Sequence, residues 1–163
     1  DGLADVAATD EQSAFVNTDG TAWAAGDNFY KQFGSSTATL KKNVIPQRSD
    51  VENVAQISAG YSNTYWIKND GTLWGAGNDN SGQLTSHKSG YIGTPLRLAD
   101  DVKSVSAGNW FVLVIKTDGT VWGRGTNNYG QLGIGDTSED ESDWKQMHVV
   151  SHAKKVVTGT QYS

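Results

Sequence analysis

Cysteine is absent from the 163 residues, which removes disulfide staples and thiolate metal sites from consideration. Proline occurs twice, and charged residues make up only 19 % of the chain. Hydrophobic residues, at 36 %, show no sustained 3.6-residue period, so a helical bundle is not expected. No apolar run approaches the roughly 20 residues of a membrane-spanning helix, and membrane insertion is not expected either. Basic residues are outnumbered, 13 against 18, for a net charge of −5. They are also scattered, with only Lys41-Lys42 and Lys154-Lys155 adjacent, so nucleic acid is not an expected partner. The three histidines, His87, His148 and His152, share no metal-ligand spacing and read as incidental.

What fills the gap is glycine, 19 residues of it, with Ser, Thr, Asn and Asp, the composition of a turn-rich β-protein. One segment organises the rest. Lys116-Thr117-Asp118-Gly119-Thr120-Val121-Trp122-Gly123-Arg124-Gly125 has an Asp-Gly pair between β-branched and aromatic residues, a hairpin tip. The chain writes it again at Asp19-Gly20-Thr21-Ala22-Trp23 and at Asp70-Gly71-Thr72-Leu73-Trp74. A two-residue type I′ turn there predicts that Val16 faces Trp23, Ile67 faces Trp74 and Ile115 faces Trp122.

Aligning the three tips brings Val6, Ile57, Val105 and Val156 into register, at intervals of 51, 48 and 51 residues. A period near 50 marks a propeller or solenoid. Each unit reads as four strands. The first runs over 102–107 in the third unit, with counterparts at 53–59 and 155–158. The second and third flank the Asp-Gly turn. A glycine- and asparagine-rich loop such as Asn127-Asn128-Tyr129-Gly130-Gln131-Leu132-Gly133 follows, and a weaker fourth strand covers 44–48, 94–98 and 146–150. Pro46 and Pro95 suit an edge strand. The repeats span approximately 5–53, 54–101 and 102–152, with a partial unit at 153–163.

The pattern Val-x-x-Val-x-Ala-Gly followed by Asp-Gly-Thr-x-Trp-Gly-x-Gly-x-Asn-x-x-Gly-Gln-Leu-Gly, clearest over Val102 to Gly133, closely resembles the regulator-of-chromosome-condensation repeat. The resemblance implies an all-β fold, a β-propeller of four-stranded antiparallel blades with about three blades present. Closed propellers need at least four. The chain, which opens at Asp1 without a Met, is therefore expected to be a segment of a longer one or a subunit that completes its ring by self-association. The sequence departs from the family where a Gly-x-x-His-Ser is common: Asn63 and Phe111 stand at the histidine position.

The repeated residues Trp23, Trp74, Trp122, Gly20, Gly71 and Gly119 read as the structural core of the repeat. No nucleophile elbow, phosphate loop or zincin motif is present, so no catalytic residue, metal ligand or cofactor is expected. The acidic run from Asp136 to Asp143 lacks the alternation of a calcium loop and reads as a solvated loop. What remains are Tyr61, Trp110 and Tyr162, large aromatics in or near the loops between first and second strands, candidates for anchoring a protein partner. The expectation is a non-enzymatic protein-interaction or cell-surface module, bacterial and extracellular by its Asn/Thr/Gly-rich composition. A self-assembling structural protein and a propeller-type inhibitor of an enzyme are the alternatives.

Overall fold

In the computed structural model, which describes residues 2–159, each Asp-Gly pair closes a hairpin, though not the two-residue one. The Lys116 N–H donates to Thr120 O and the Gly119 N–H to Lys116 O, both at 2.9 Å. That is a three-residue loop, a type I turn followed by a glycine in the left-handed region, φ 84°. Gly20 and Gly71 repeat it at φ 80° and 79°. Only the glycine needs positive φ, so the Asp is free to act as an acceptor. The extra loop residue moves the expected register by one. Phe15 pairs with Trp23, Trp66 with Trp74 and Val114 with Trp122, while Val16, Ile67 and Ile115 pair with Ala22, Leu73 and Val121.

Among the described residues twelve strands follow in chain order. Blade 1 holds β1 (Leu3–Ala8), β2 (Gln12–Asn17), β3 (Ala22–Asp27) and β4 (Lys42–Arg48). Blade 2 holds β5 (Val54–Ala59), β6 (Asn63–Lys68), β7 (Leu73–Asn78) and β8 (Tyr91–Ala99). Blade 3 holds β9 (Val102–Ala107), β10 (Phe111–Lys116), β11 (Val121–Thr126) and β12 (Asp140–Met147). Each blade is an antiparallel meander with strands adjacent in sequence order. The strand expected at 146–150 lies earlier, in β12. Trp144 is the reason: its indole packs against the cluster of blades 2 and 3, and its Nε1 donates to Leu98 O at 3.3 Å. Half of the acidic run is therefore strand, with Asp140 paired to Lys88 across the seam and Glu141 to Lys145.

The core lies between the sheets. Ala14, Ala24, Phe33 and Val51 of blade 1 and its connector receive Trp66 and Ile57 of blade 2. In the next seam, Tyr65 and Leu73 of blade 2 receive Val105 and Val114 of blade 3. Ala14 and Tyr65 occupy equivalent repeat positions, as do Trp66 and Val114. A small residue faces a large one in both seams, with the sides exchanged, so close packing is kept without a fixed residue at either position.

Neighbouring blades are also joined by hydrogen bonds. Along the inner strands, Ile57 N–H donates to Asp5 Oδ2 at 2.9 Å, Ala107 N–H to Ser58 Oγ and Thr158 N–H to Ser106 Oγ, both at 3.0 Å. Residues 153–159 form no sheet pairing among the described residues, yet Val156 packs on Phe111, Leu113 and Leu132 as an inner strand of a further unit would. At the other end, each hairpin tip catches the chain entering the next unit. Val54, Val102 and Ala153 donate to Gly20 O, Gly71 O and Gly119 O at 3.0, 2.9 and 3.3 Å. The residue before each is left-handed: Asn53, Asp101 and His152, φ 59°, 59° and 58°. Asn, Asp and His tolerate that region better than other side chains. His152, which reads as incidental in the sequence, thus occupies a repeated position, and its role is conformational.

Candidate functional site

The loops between third and fourth strands give the blades their frame. Asn28 Oδ1 accepts from Phe33 N–H and Asn127 Oδ1 from Leu132 N–H, both at 3.0 Å; Asp79 accepts from Leu84 and Thr85. Gln32, Gln83 and Gln131 each accept from the N–H two residues earlier. These buried side chains satisfy loop backbone that water cannot reach. The Asn-x-x-Gly-Gln-Leu motif is a loop scaffold.

At the same end lie the turns between first and second strands, the A–B turns. They are closed by Thr9, Gly60 and Gly108 N–H donating to Gln12, Asn63 and Phe111 O at 2.8, 3.0 and 2.9 Å. The carbonyls of Glu11, Ser62 and Trp110 in turn accept from Asp27, Asn78 and Thr126 N–H at 2.8, 2.9 and 2.9 Å. A Cβ on Gly26, Gly77 or Gly125 would stand 2.3, 2.1 or 2.3 Å from those same carbonyls, and all three have φ above 100°. The second glycine of Gly-x-Gly is thus compulsory. The first, Gly75 or Gly123, clears only side chains, Leu84, Leu98 and Tyr65 or Leu113 and Leu132, and blade 1 replaces it with Ala24. Asn63, at the family's histidine position, donates through Nδ2 to Asn78 O and accepts from Gln83 Nε2. Each A–B turn is therefore a rigid mount.

Two of the expected aromatics meet on these mounts. Tyr61 of blade 2 and Trp110 of blade 3 are half-buried, with ring centroids 5.7 Å apart and planes tilted by 50°. They are not equivalent in the repeat, so their pairing follows only from the placement of adjacent blades. Tyr162 lies outside the described residues. A cleft of about 330 Å³ lies at the opposite, hairpin-tip end of seam 1–2, against Asn53, Lys68 and Trp74, whereas one of about 210 Å³ lies at the rim, lined by Thr9, Asp10, Gly60, Tyr61, Asn109 and Thr158. No group of three or more His, Asp or Glu side chains able to hold a metal occurs among the described residues.

The repeated tryptophans sit at the opposite end and are chemically occupied. Trp23, Trp74 and Trp122 donate through Nε1 to Thr21, Thr72 and Thr120 Oγ1 at 3.2, 2.9 and 2.9 Å. Each threonine hydroxyl donates onward to Asp19, Asp70 or Asp118 at 2.7, 2.7 and 2.6 Å. That hydroxyl, with the threonine N–H, holds each aspartate below the usual carboxylate range. Lys68 and Lys116 lie over the Trp74 and Trp122 rings. Sequence reasoning missed Arg124, the variable residue of Gly-x-Gly, whose Nε donates to Gly82 O of blade 2 at 2.7 Å while burial lowers its pKa. It is a seam residue, not part of the A–B rim.

The family model "Regulator of chromosome condensation (RCC1) repeat" matches residues 54–83 and 102–131. No curated protein matches the sequence. Among solved structures, the yeast RCC1 Prp20 bound to Kap60 is 19 % identical with a TM-score of 0.82, over 96 % of this chain and 40 % of that one. The structure of Prp20p from Saccharomyces cerevisiae, described with its binding to Gsp1p and histones, is 18 % identical with a TM-score of 0.76 over 87 % and 37 %. Human WBSCR16 is 20 % identical with a TM-score of 0.77 over 90 % and 39 %. At such identities the likeness is one of fold, and the chain spans about two-fifths of the length of these neighbours. Residues 54–83 and 102–131 thus carry regulator-of-chromosome-condensation repeats, in a chain folded as three four-stranded antiparallel blades like those of these propellers.

Proposed function

We propose that the chain is a non-enzymatic protein-interaction module that presents its A–B rim to a protein partner. The Tyr61–Trp110 pair carries this reading: two large rings held half-buried on backbone that is pinned from below. Aromatics on rigid mounts lose little entropy on binding and dominate interface energy. The partners named for Prp20, Kap60 and Gsp1p and histones, are proteins, which supports the class of partner without naming one. The cysteine-free, Asn/Thr/Gly-rich composition supports a bacterial cell-surface or secreted setting, where blocking an enzyme is one form such binding takes. The test is retention of proteins from an extract of the source cell by immobilised chain and by Tyr61→Ser/Trp110→Ser. A protein held by the first and lost by the second, at equal thermal midpoint, supports the reading; identical retention overturns it.

Self-association is a second reading, favoured by the outer face of blade 1. Leu3 and Val6 are 59 % and 61 % exposed, whereas their equivalents Val54, Ile57, Val102 and Val105 are buried by the preceding blade. Light scattering of the chain and of Leu3→Lys/Val6→Lys tests it: oligomers that the variant dissolves support self-association, and a monomeric wild type contradicts it.

A further inference from the structure

We infer that the A–B rim takes an arginine side chain of its protein partner; this rests on the rim being an interaction surface. Acceptors without donors collect there. Asp10, in the first A–B turn, and Glu11 beside it are exposed, and their carboxylates hold no ion pair or hydrogen bond among the described residues. Beneath them Gln12, only 3 % exposed, donates through Nε2 to Thr64 Oγ1 at 2.8 Å, while its enclosed Oε1 has no donor among the described residues. Asp10 lines the 210 Å³ cleft together with Tyr61, and a second cleft of about 520 Å³, sharing Ala8, Thr9 and Asp10, extends over Glu11 and Gln12.

Unmet acceptors call for a donor-rich ligand, and two carboxylates call for a cationic one. No cation lines either cleft among the described residues; Lys42 borders Glu11 in a separate cleft of about 280 Å³, which leaves Asp10 as the principal carboxylate. The Tyr61 ring decides between the two basic side chains. A guanidinium lays its plane against a ring while its edge donates to a carboxylate, a geometry that a compact ammonium does not match. Tyr61 and Asp10 on one cleft supply the ring and the carboxylate.

The experiment is fluorescence anisotropy of the whole chain with a labelled Gly-Ser-Arg-Gly-Arg-Ser peptide, against the same peptide with citrulline or lysine for arginine. The arginine peptide is expected to bind, to weaken as salt rises, and to lose about tenfold in affinity with citrulline and in Asp10→Asn. Lysine is expected to bind less tightly than arginine and Tyr61→Leu to weaken arginine binding. Equal binding of arginine and citrulline peptides, an unaffected Asp10→Asn, lysine binding as tight as arginine, or no binding at millimolar peptide overturns the inference. If extract proteins are still retained through Tyr61 and Trp110 while the arginine peptide fails, the interaction-module reading stands and this one falls.

Discussion

Two pairs of half-buried aromatics sit at opposite ends of blades 2 and 3, and they differ in almost everything but exposure. Trp74 and Trp122, at the hairpin tips, pack against the buried seam clusters, donate their indole N–H to threonine and carry a lysine over the ring. Tyr61 and Trp110, at the A–B rim, touch each other and belong to none of the buried clusters. The tips are written alike three times, whereas the A–B turns read Thr9-Asp10-Glu11, Gly60-Tyr61-Ser62 and Gly108-Asn109-Trp110. Repetition marks what the fold needs in every blade. Departure from repetition, on a mount that is itself repeated, marks where the surface is free to serve a partner.

The contrast breaks most severely where both ends lose their common support. Trp66, 1 % exposed, fills seam 1–2 against alanines, and Trp66→Ala is expected to cost about 3–5 kcal/mol in chemical denaturation. Trp66→Phe removes an indole N–H that has no acceptor among the described residues, and should cost less. Next comes Gly77→Ala. Its φ of 117° and a carbonyl 2.1 Å from the new Cβ force the Ser62 turn to move, at about 2–3 kcal/mol. A midpoint near wild type would show that the rim is not pinned as described.

Smaller effects separate the tip from the rim. Thr120→Val removes the hydroxyl between Trp122 and Asp118 and should cost about 1 kcal/mol. The pH dependence shares that origin. Asp19, Asp70 and Asp118 have folded-state pKa values below the ordinary 3.8, so their contribution is present above 3.8 and is lost as pH falls through the lowered values. The thermal midpoint of the wild type should drop in that window, and more shallowly in Thr120→Val. An identical acid limb in both would separate the threonine from the aspartate's titration.

The fold was legible because the motif repeats at fixed spacing, and Trp74, Gly71 and Gly77 need no partner to declare themselves. The details that failed depend on what the local signal leaves open. Asp-Gly serves both two- and three-residue loops, and the three-residue form shifted every cross-strand pair by one. The run Asp136 to Asp143 has the composition of a loop, and only the seat of Trp144 on blade 2 makes its second half a strand. His152 is one residue in the register of Asn53 and Asp101, a resemblance in backbone angle that chemistry hides. At the rim, the aromatics could be named from the sequence, but the meeting of Tyr61 with Trp110 could not. They hold different positions in their repeats and are joined only by the stacking of two blades.

Paired denaturant midpoints of Trp74→Ala/Trp122→Ala and Tyr61→Ala/Trp110→Ala test the contrast between the two ends directly. The tip variant, losing two seam-packed indoles and their hydrogen bonds, should fall by about 4 kcal/mol, and the rim variant by less than about 1 kcal/mol. A rim variant destabilised as much as the tip variant would make Tyr61 and Trp110 structural residues and contradict the account.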